Sequence, residues 1–120
     1  MIQVELPWPP GQLRPNVARR THWRSNSTAA ALYKSLCAMD LRPQIDKAEF
    51  GSVPISLTIQ FCPPSRRKYD RDGSLSSIKA GLDALAAHLG MDDDDFEPIT
   101  LRRGPVVKGG KVVITLMEGE

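Results

Sequence analysis

Residues Ser65 to Asp95 read SRRKYDRDGSLSSIKAGLDALAAHLGMDDDD. Apolar residues recur at Leu75, Ile78, Leu82, Leu85 and Leu89, the three-and-four spacing of one helix face. Ser74 is a capping residue type at the start, and Gly90 is a stop at the end, so the spacing predicts a helix from Ser74 to Gly90. Ser76, Lys79 and Asp83 form a polar stripe beside the apolar one, with Asp72 just before it on the same side. Acids stand at both ends of this helix: Asp70 and Asp72 before it, Asp92 to Asp95 after it.

On the N-terminal side, Val53, Ile55, Leu57, Ile59 and Phe61 alternate with smaller or polar residues, the clearest strand in the chain. Pro63 and Pro64 end it and deliver the chain into Arg66, Arg67 and Lys68. Earlier still, Thr28 to Leu41 is expected to be a helix, with Ser25, Asn26, Ser27 and Thr28 as candidate caps. Leu32, Leu36 and Met39, flanked by Tyr33 and Cys37, form its apolar stripe and are expected in the core; Pro43 stops it. Ile2, Val4 and Leu6 alternate as a first strand that Pro7, Pro9 and Pro10 end. Beyond the aspartates, Ile99 and Leu101 suggest a third strand. Gly109 and Gly110 read as a hairpin turn, and Lys111 to Met117 as a fourth strand. The order is β-α-β-α-β-β. The expected architecture is an α/β (α+β) domain spanning residues 1–120, with two helices packed on a four-stranded mixed sheet.

A composition of 41% hydrophobic and 25% charged residues is that of a globular chain. No apolar run is long enough to span a bilayer, and Met1 leads into a strand pattern instead of a signal peptide. The expected location is the cytoplasm, away from membranes. Cys37 and Cys62 have no metal-ligand spacing and read as small buried hydrophobes, which argues against a zinc site.

The net charge of +2 hides a segregation. Bases gather at Arg14, Arg19, Arg20 and Arg24, at Arg66, Arg67, Lys68 and Arg71, and at Arg102 to Lys111. The first group shares an aperiodic stretch, Gly11 to Arg24, with Trp23. Guanidinium groups beside an indole suit phosphates and unstacked bases, so these basic residues are the expected DNA contacts. If the Asp70-Arg71-Asp72 stretch is extended, both carboxylates point to one face and can share a hard dication with substrate phosphate. A third ligand from Asp92 to Asp95 requires that block to fold back toward the pair. Against this stand plainer readings: Asp-x-Asp is common without a metal, an acidic block can simply be solvated, and Lys79 with Asp83 can be a surface pair. His22 and His88 read as surface or helix residues, and the chain has no nucleophile elbow or glycine-rich phosphate loop.

Taken in order, LPWPP (Leu6 to Pro10), Arg-Thr-His (Arg20 to His22), KYDRD (Lys68 to Asp72), IKAGLDAL (Ile78 to Leu85), GMDD (Gly90 to Asp93) and VVKGGKVVITL (Val106 to Leu116) resemble the RusA family of Holliday-junction resolvases. The resemblance runs over nearly the whole chain. It implies a homodimeric nuclease, often phage-encoded, that cuts four-way DNA junctions in recombination and repair with Mg2+ or Mn2+. It also implies metal ligands at Asp70, Asp72 and Asp93 and a catalytic lysine at Lys79. Two departures stand out. Gly73 follows Asp72 where the family has asparagine, and the segment to Lys79 is longer. The altered turn leaves a second expectation open, a junction-binding protein with weak or lost cleavage. In a third, the aspartates are surface charge alone.

Overall fold

The computed structural model describes residues 1–10, 23–46, 54–66 and 71–118, with the first turns of both helices (23–26 and 71–74) described as backbone. Four strands and two helices follow in the order read from the sequence: β1 (Ile2–Pro7), α1 (Trp23–Leu41), β2 (Ile55–Cys62), α2 (Arg71–Leu89), β3 (Phe96–Arg103) and β4 (Lys111–Glu118). A short 3-10 turn, Asp93–Asp95, sits between α2 and β3.

The sheet order is β1-β4-β2-β3. β4 is antiparallel to both β1 and β2, while β2 and β3 run parallel, so the sheet is mixed. Parallel neighbours need a crossover, and α2 supplies it. Alternation puts Val4, Leu6, Ile55, Leu57, Ile59, Phe61, Val112, Ile114 and Leu116 on one buried face. The helices cover that face; the other carries Gln3, Glu5, Thr58, Gln60 and Thr115.

Helix α2 buries Ile78, Leu82, Leu85 and Leu89 as its spacing predicts, with Leu75 half-buried. It ends at Gly90, whose φ of +71° favours glycine. The Gly90 N–H donates to Ala87 O at 3.2 Å and the Met91 N–H to Ala86 O at 3.0 Å, which satisfies carbonyls left open by the last turn. The helix begins at Arg71, three residues before the expected start. Asp72 is therefore helical, while Asp70, its partner in the expected Asp-x-Asp pair, lies outside the described residues.

Two expectations for α1 change. The helix starts at Trp23, so Ser25 to Thr28 lie within it and do not cap it. The stripe Leu32, Leu36 and Met39 faces outward, at 62%, 52% and 63% exposure. Ala29, Tyr33, Cys37 and Leu41 point inward instead, the neighbouring row of the same helix. The Tyr33 hydroxyl donates to Pro7 O at 2.7 Å and ties this row to the end of β1.

The glycine turn is present: Gly109 and Gly110 have φ of +80° and +73°, and the Gly110 N–H donates to Val107 O at 2.8 Å. It does not join a β3–β4 hairpin. β4 pairs with β1 and β2, so the chain crosses the end of β2 on its way. Gly104 N–H to Phe61 O (2.8 Å) and Val107 N–H to Pro63 O (2.9 Å) hold that crossing. The side chain of Gln44 covers the outer edge of β1: its amide donates to Glu5 O at 2.7 Å and its oxygen accepts from Glu5 N–H. Pairing an edge in this way protects it from adding another strand. Among the described residues no helix is long and apolar enough to cross a membrane.

Candidate metal centre and nucleic-acid interface

The parallel pair β2–β3 gives the domain two distinct ends. α2 leaves the carboxyl end of β2 and runs back to the amino end of β3. Nineteen residues long, it keeps its ends about 28 Å apart. Asp72 lies in its first turn, at the carboxyl ends of the strands. Asp93 lies past its last turn, just before Phe96, which pairs with Ile55 at the amino end of β2. One copy of the chain does not bring Asp72 and Asp93 together. Asp70 lies outside the described residues.

The basic residues share the Asp72 end. Exposed Arg66 follows β2, and Arg71 opens α2. Exposed Arg102 and Arg103 pair opposite Gln60 and Phe61, and Lys111 pairs opposite Cys62. Arg24, in the first turn of α1, and Lys108 belong to the same end by topology. The Lys111 ammonium also meets Glu5 at 2.7 Å, which raises its pKa through that hydrogen bond and charge. Arg14, Arg19, Arg20, Arg67 and Lys68 lie outside the described residues. Lys79 is exposed on α2, about two turns from Asp72. The opposite end carries Asp46, Asp92 to Asp95, Glu97 and Glu118, set against Arg42.

The acidic block is a folded turn. Asp92 Oδ1 accepts from the Asp94 N–H at 3.2 Å, while Asp95 Oδ2 accepts from the Asp92 N–H at 3.2 Å. This reciprocal cap satisfies donors at both ends of one turn. Carboxylate oxygens of Asp92, Asp93 and Asp94 lie within 4.8 Å of one another, all exposed. Such an all-oxygen donor set fits a hard dication that keeps several waters. Two opposed pKa shifts express the crowding. The Asp94 N–H and the Asp93 side chain hold Asp92 below the usual carboxylate range. Asp93 is pushed up by its hydrogen bond with Asp92, then by partial desolvation and the charges of Asp83, Asp94 and Asp92.

In the sequence Asp83 belongs to the polar stripe of α2 and stands four residues from Lys79. Its charge, about one and a half turns before the end of α2, contributes to raising Asp93. The signal was there in the spacing, but the direction in which the chain turns after Gly90 was not. His88, on the last turn, is structural: its Nε2 lies 2.6 Å from Ile45 O and links α2 to the segment after α1.

No family model matches the chain. It is 34% identical to an uncharacterised protein of Xylella fastidiosa, over 97% of this chain and 76% of that one. It is 29% identical to the crossover junction endodeoxyribonuclease rusA of Enterobacteria phage 82, over 96% of this chain and 92% of the relative. The crossover junction endodeoxyribonuclease RusA of Escherichia coli K12 is 27% identical, again over 96% and 92%. The chain belongs to one family with the Xylella protein and is a distant relative of the RusA crossover junction endodeoxyribonucleases over nearly its whole length.

Proposed function

We propose that this protein is a metal-dependent endodeoxyribonuclease that resolves four-way DNA junctions in recombination and repair, acting as a homodimer with Mg2+ or Mn2+. The observation that carries this reading is the cation-rich end around the start of α2, in a chain related over nearly its full length to crossover junction endodeoxyribonucleases.

In this reading Arg66, Arg67, Lys68 and Arg71, with Arg14, Arg19, Arg20 and Arg24, grip phosphates along the arms. That attraction is independent of sequence and weakens with salt. Asp70, Asp72 and Asp93 are the proposed ligands; an ion held there would polarise the scissile phosphate and acidify a bound water. Lys79 is proposed to steady charge developing on the phosphate oxygens. Because α2 separates Asp72 from Asp93, a ligand set drawn from both requires a second copy. A two-fold dimer also matches a two-fold junction.

The same separation favours a second reading, a junction-binding protein with weak or lost cleavage. A lone copy keeps the cationic end without the assembled carboxylates. Incubation with a labelled four-way junction and Mg2+ or Mn2+ distinguishes the two. Paired nicks that disappear in Asp72→Asn support the nuclease. Tight, salt-sensitive binding without nicking in either ion supports the binding protein. Cleavage that survives Asp72→Asn overturns the assigned site.

A further inference from the structure

We propose that the apolar groove between Trp8 and the outer side of α1 receives one unpaired nucleobase of bound DNA, while the phosphates beside that base lie on the cations around the glycine turn. The proposal rests on the DNA reading above and gives it a base-binding subsite apart from the carboxylates.

The groove has a volume of about 310 Å³ and is open to solvent. Pro7, Trp8 and Pro10 line it from the end of β1, and Ala29, Leu32, Tyr33 and Leu36 line it from α1. That volume is at the small end of the roughly 300–1,000 Å³ typical of ligand sites, which suits a base with its sugar. Proline has no N–H to donate, and the Tyr33 hydroxyl already donates to Pro7 O at 2.7 Å. The walls therefore offer apolar surface with few hydrogen-bonding groups. Such a surface receives a π face and tolerates any base.

Trp8 is held in place before a ligand arrives. A Cβ on Gly110 would lie 2.8 Å from Trp8 Cγ, so the turn approaches the indole this closely only with glycine there. The rings of Trp8 and Phe61 meet edge to face, with centres 6.3 Å apart. The turn is itself tied to the end of β2 by the bond from Val107 N–H to Pro63 O. A ring fixed in advance loses little freedom on binding.

Three observations identify the occupant as a base of DNA. The first is charge. Pro7 pairs with Lys111, and Lys111 with Cys62, so the groove lies at the cation-rich end of the sheet. Lys108 and Lys111 flank the glycine pair that Trp8 packs against, and exposed Arg66 follows shortly after Pro64. Glu5, paired with Lys111 at 2.7 Å, offsets only part of this charge. A strand held here by its phosphates brings its bases to the mouth of the groove. The second is the direction of the groove. Helix α1 runs back along β1: Tyr33 meets Pro7, and Gln44, past the end of the helix, meets Glu5. Asp40, an exposed acid one turn past Leu36, therefore stands at the far end of the groove from these cations, where no phosphate is needed. The third is what the groove refuses. A peptide strand adding to β1 would need the hydrogen bonds of that edge, and Gln44 already makes those of Glu5.

Two duplexes supply the test, one fully paired and one of the same sequence with a single unpaired 2-aminopurine at its middle, each titrated with the full chain in the absence of metal. The wild-type chain is expected to bind the second about tenfold more tightly, and to quench its emission as the base stacks on the indole. Trp8→Ala and Leu32→Glu are each expected to remove most of that preference, and Trp8→Phe, which keeps an aromatic face, to retain part of it. Leu32 is exposed, so Leu32→Glu should melt as the wild type does and decides the matter if Trp8→Ala fails to fold. Equal wild-type affinity for the two duplexes, or a preference that Trp8→Ala and Leu32→Glu both keep, overturns the base site while the DNA reading stands; the groove then belongs to another part of the chain or to a protein partner. A chain that binds neither duplex at low salt overturns both.

Discussion

Asp72, in the first turn of α2, and Asp93, just past its last, stand at opposite ends of a 19-residue helix. A helix is stiff and its rise per residue is constant, so no local adjustment brings the two carboxylates to one ion. In the proposed site a second copy would have to bring them together, and that has consequences at the bench.

Asp72→Asn and Asp93→Asn are each expected to abolish junction cleavage alone. Co-expressed, the two variants form heterodimers in which one site has both native carboxylates and the other has neither. Such a mixture should nick one strand of a labelled junction without the paired second cut. If the mixture is as inactive as either variant, each copy builds its own site.

The Asp92–Asp93 pair should be visible by carboxyl NMR titration, with Asp93 above the ordinary carboxylate range and Asp92 below it. A raised folded-state pKa contributes stability below the unfolded value, near 3.9, and that contribution is lost as pH rises through the folded value. At neutral pH the ionised Asp93 therefore works against the fold. Asp93→Asn should raise the melting temperature at neutral pH, and the gain should vanish once both carboxyls are protonated. A dication should pull both titrations downward.

Burial pushes the Cys37 thiol up to about 11, overriding the lowering effect of its hydrogen bond with Tyr33. The Tyr33 hydroxyl is raised as well, mainly by the same burial. At neutral pH Cys37 is a protonated, inaccessible thiol, and Cys62 is buried too. A chromogenic disulfide reagent should find almost no reactive thiol in the native protein and two after denaturation. Fast labelling of Cys37 in the folded chain would show that α1 is not packed as described.

Gly104 sits where a Cβ would lie 2.6 Å from Cys62 Sγ and 2.8 Å from Gln60 Cγ. Gly104→Ala should cost about 1–3 kcal/mol, the usual range for an overpacked site. Adding Cys62→Ala should recover part of that loss in a double-mutant cycle by urea unfolding. Full additivity would mean that the crossing segment moves away from β2 instead of pressing on the sulfur.

Much of the architecture was legible because its signals are local. The alternation of Ile55, Leu57, Ile59 and Phe61, the period of Ile78, Leu82, Leu85 and Leu89, and the stop at Gly90 each follow from backbone geometry over a few residues. The acidic and basic clusters could be counted in the same way, and their resemblance to the RusA pattern agrees with the relationship found over nearly the whole chain. That Asp92, Asp93 and Asp94 lie within reach of one ion is a grouping the sequence reading, which paired one of them with Asp70 and Asp72, did not contain. Which of two adjacent rows of α1 faces the sheet was not legible: Leu32, Leu36 and Met39 are as apolar as Tyr33, Cys37 and Leu41, and periodicity cannot rank them. The separation of Asp72 from Asp93 follows from the length of the helix between them and was implicit in the sequence; the parallel placement of β3 beside β2 was not. Pattern along a chain reports which faces are greasy and where turns fall. The choice of strand neighbours is made by long-range pairing and burial, and here that choice sends Arg66, Arg102 and Arg103 to one end of the sheet and the acidic turn to the other.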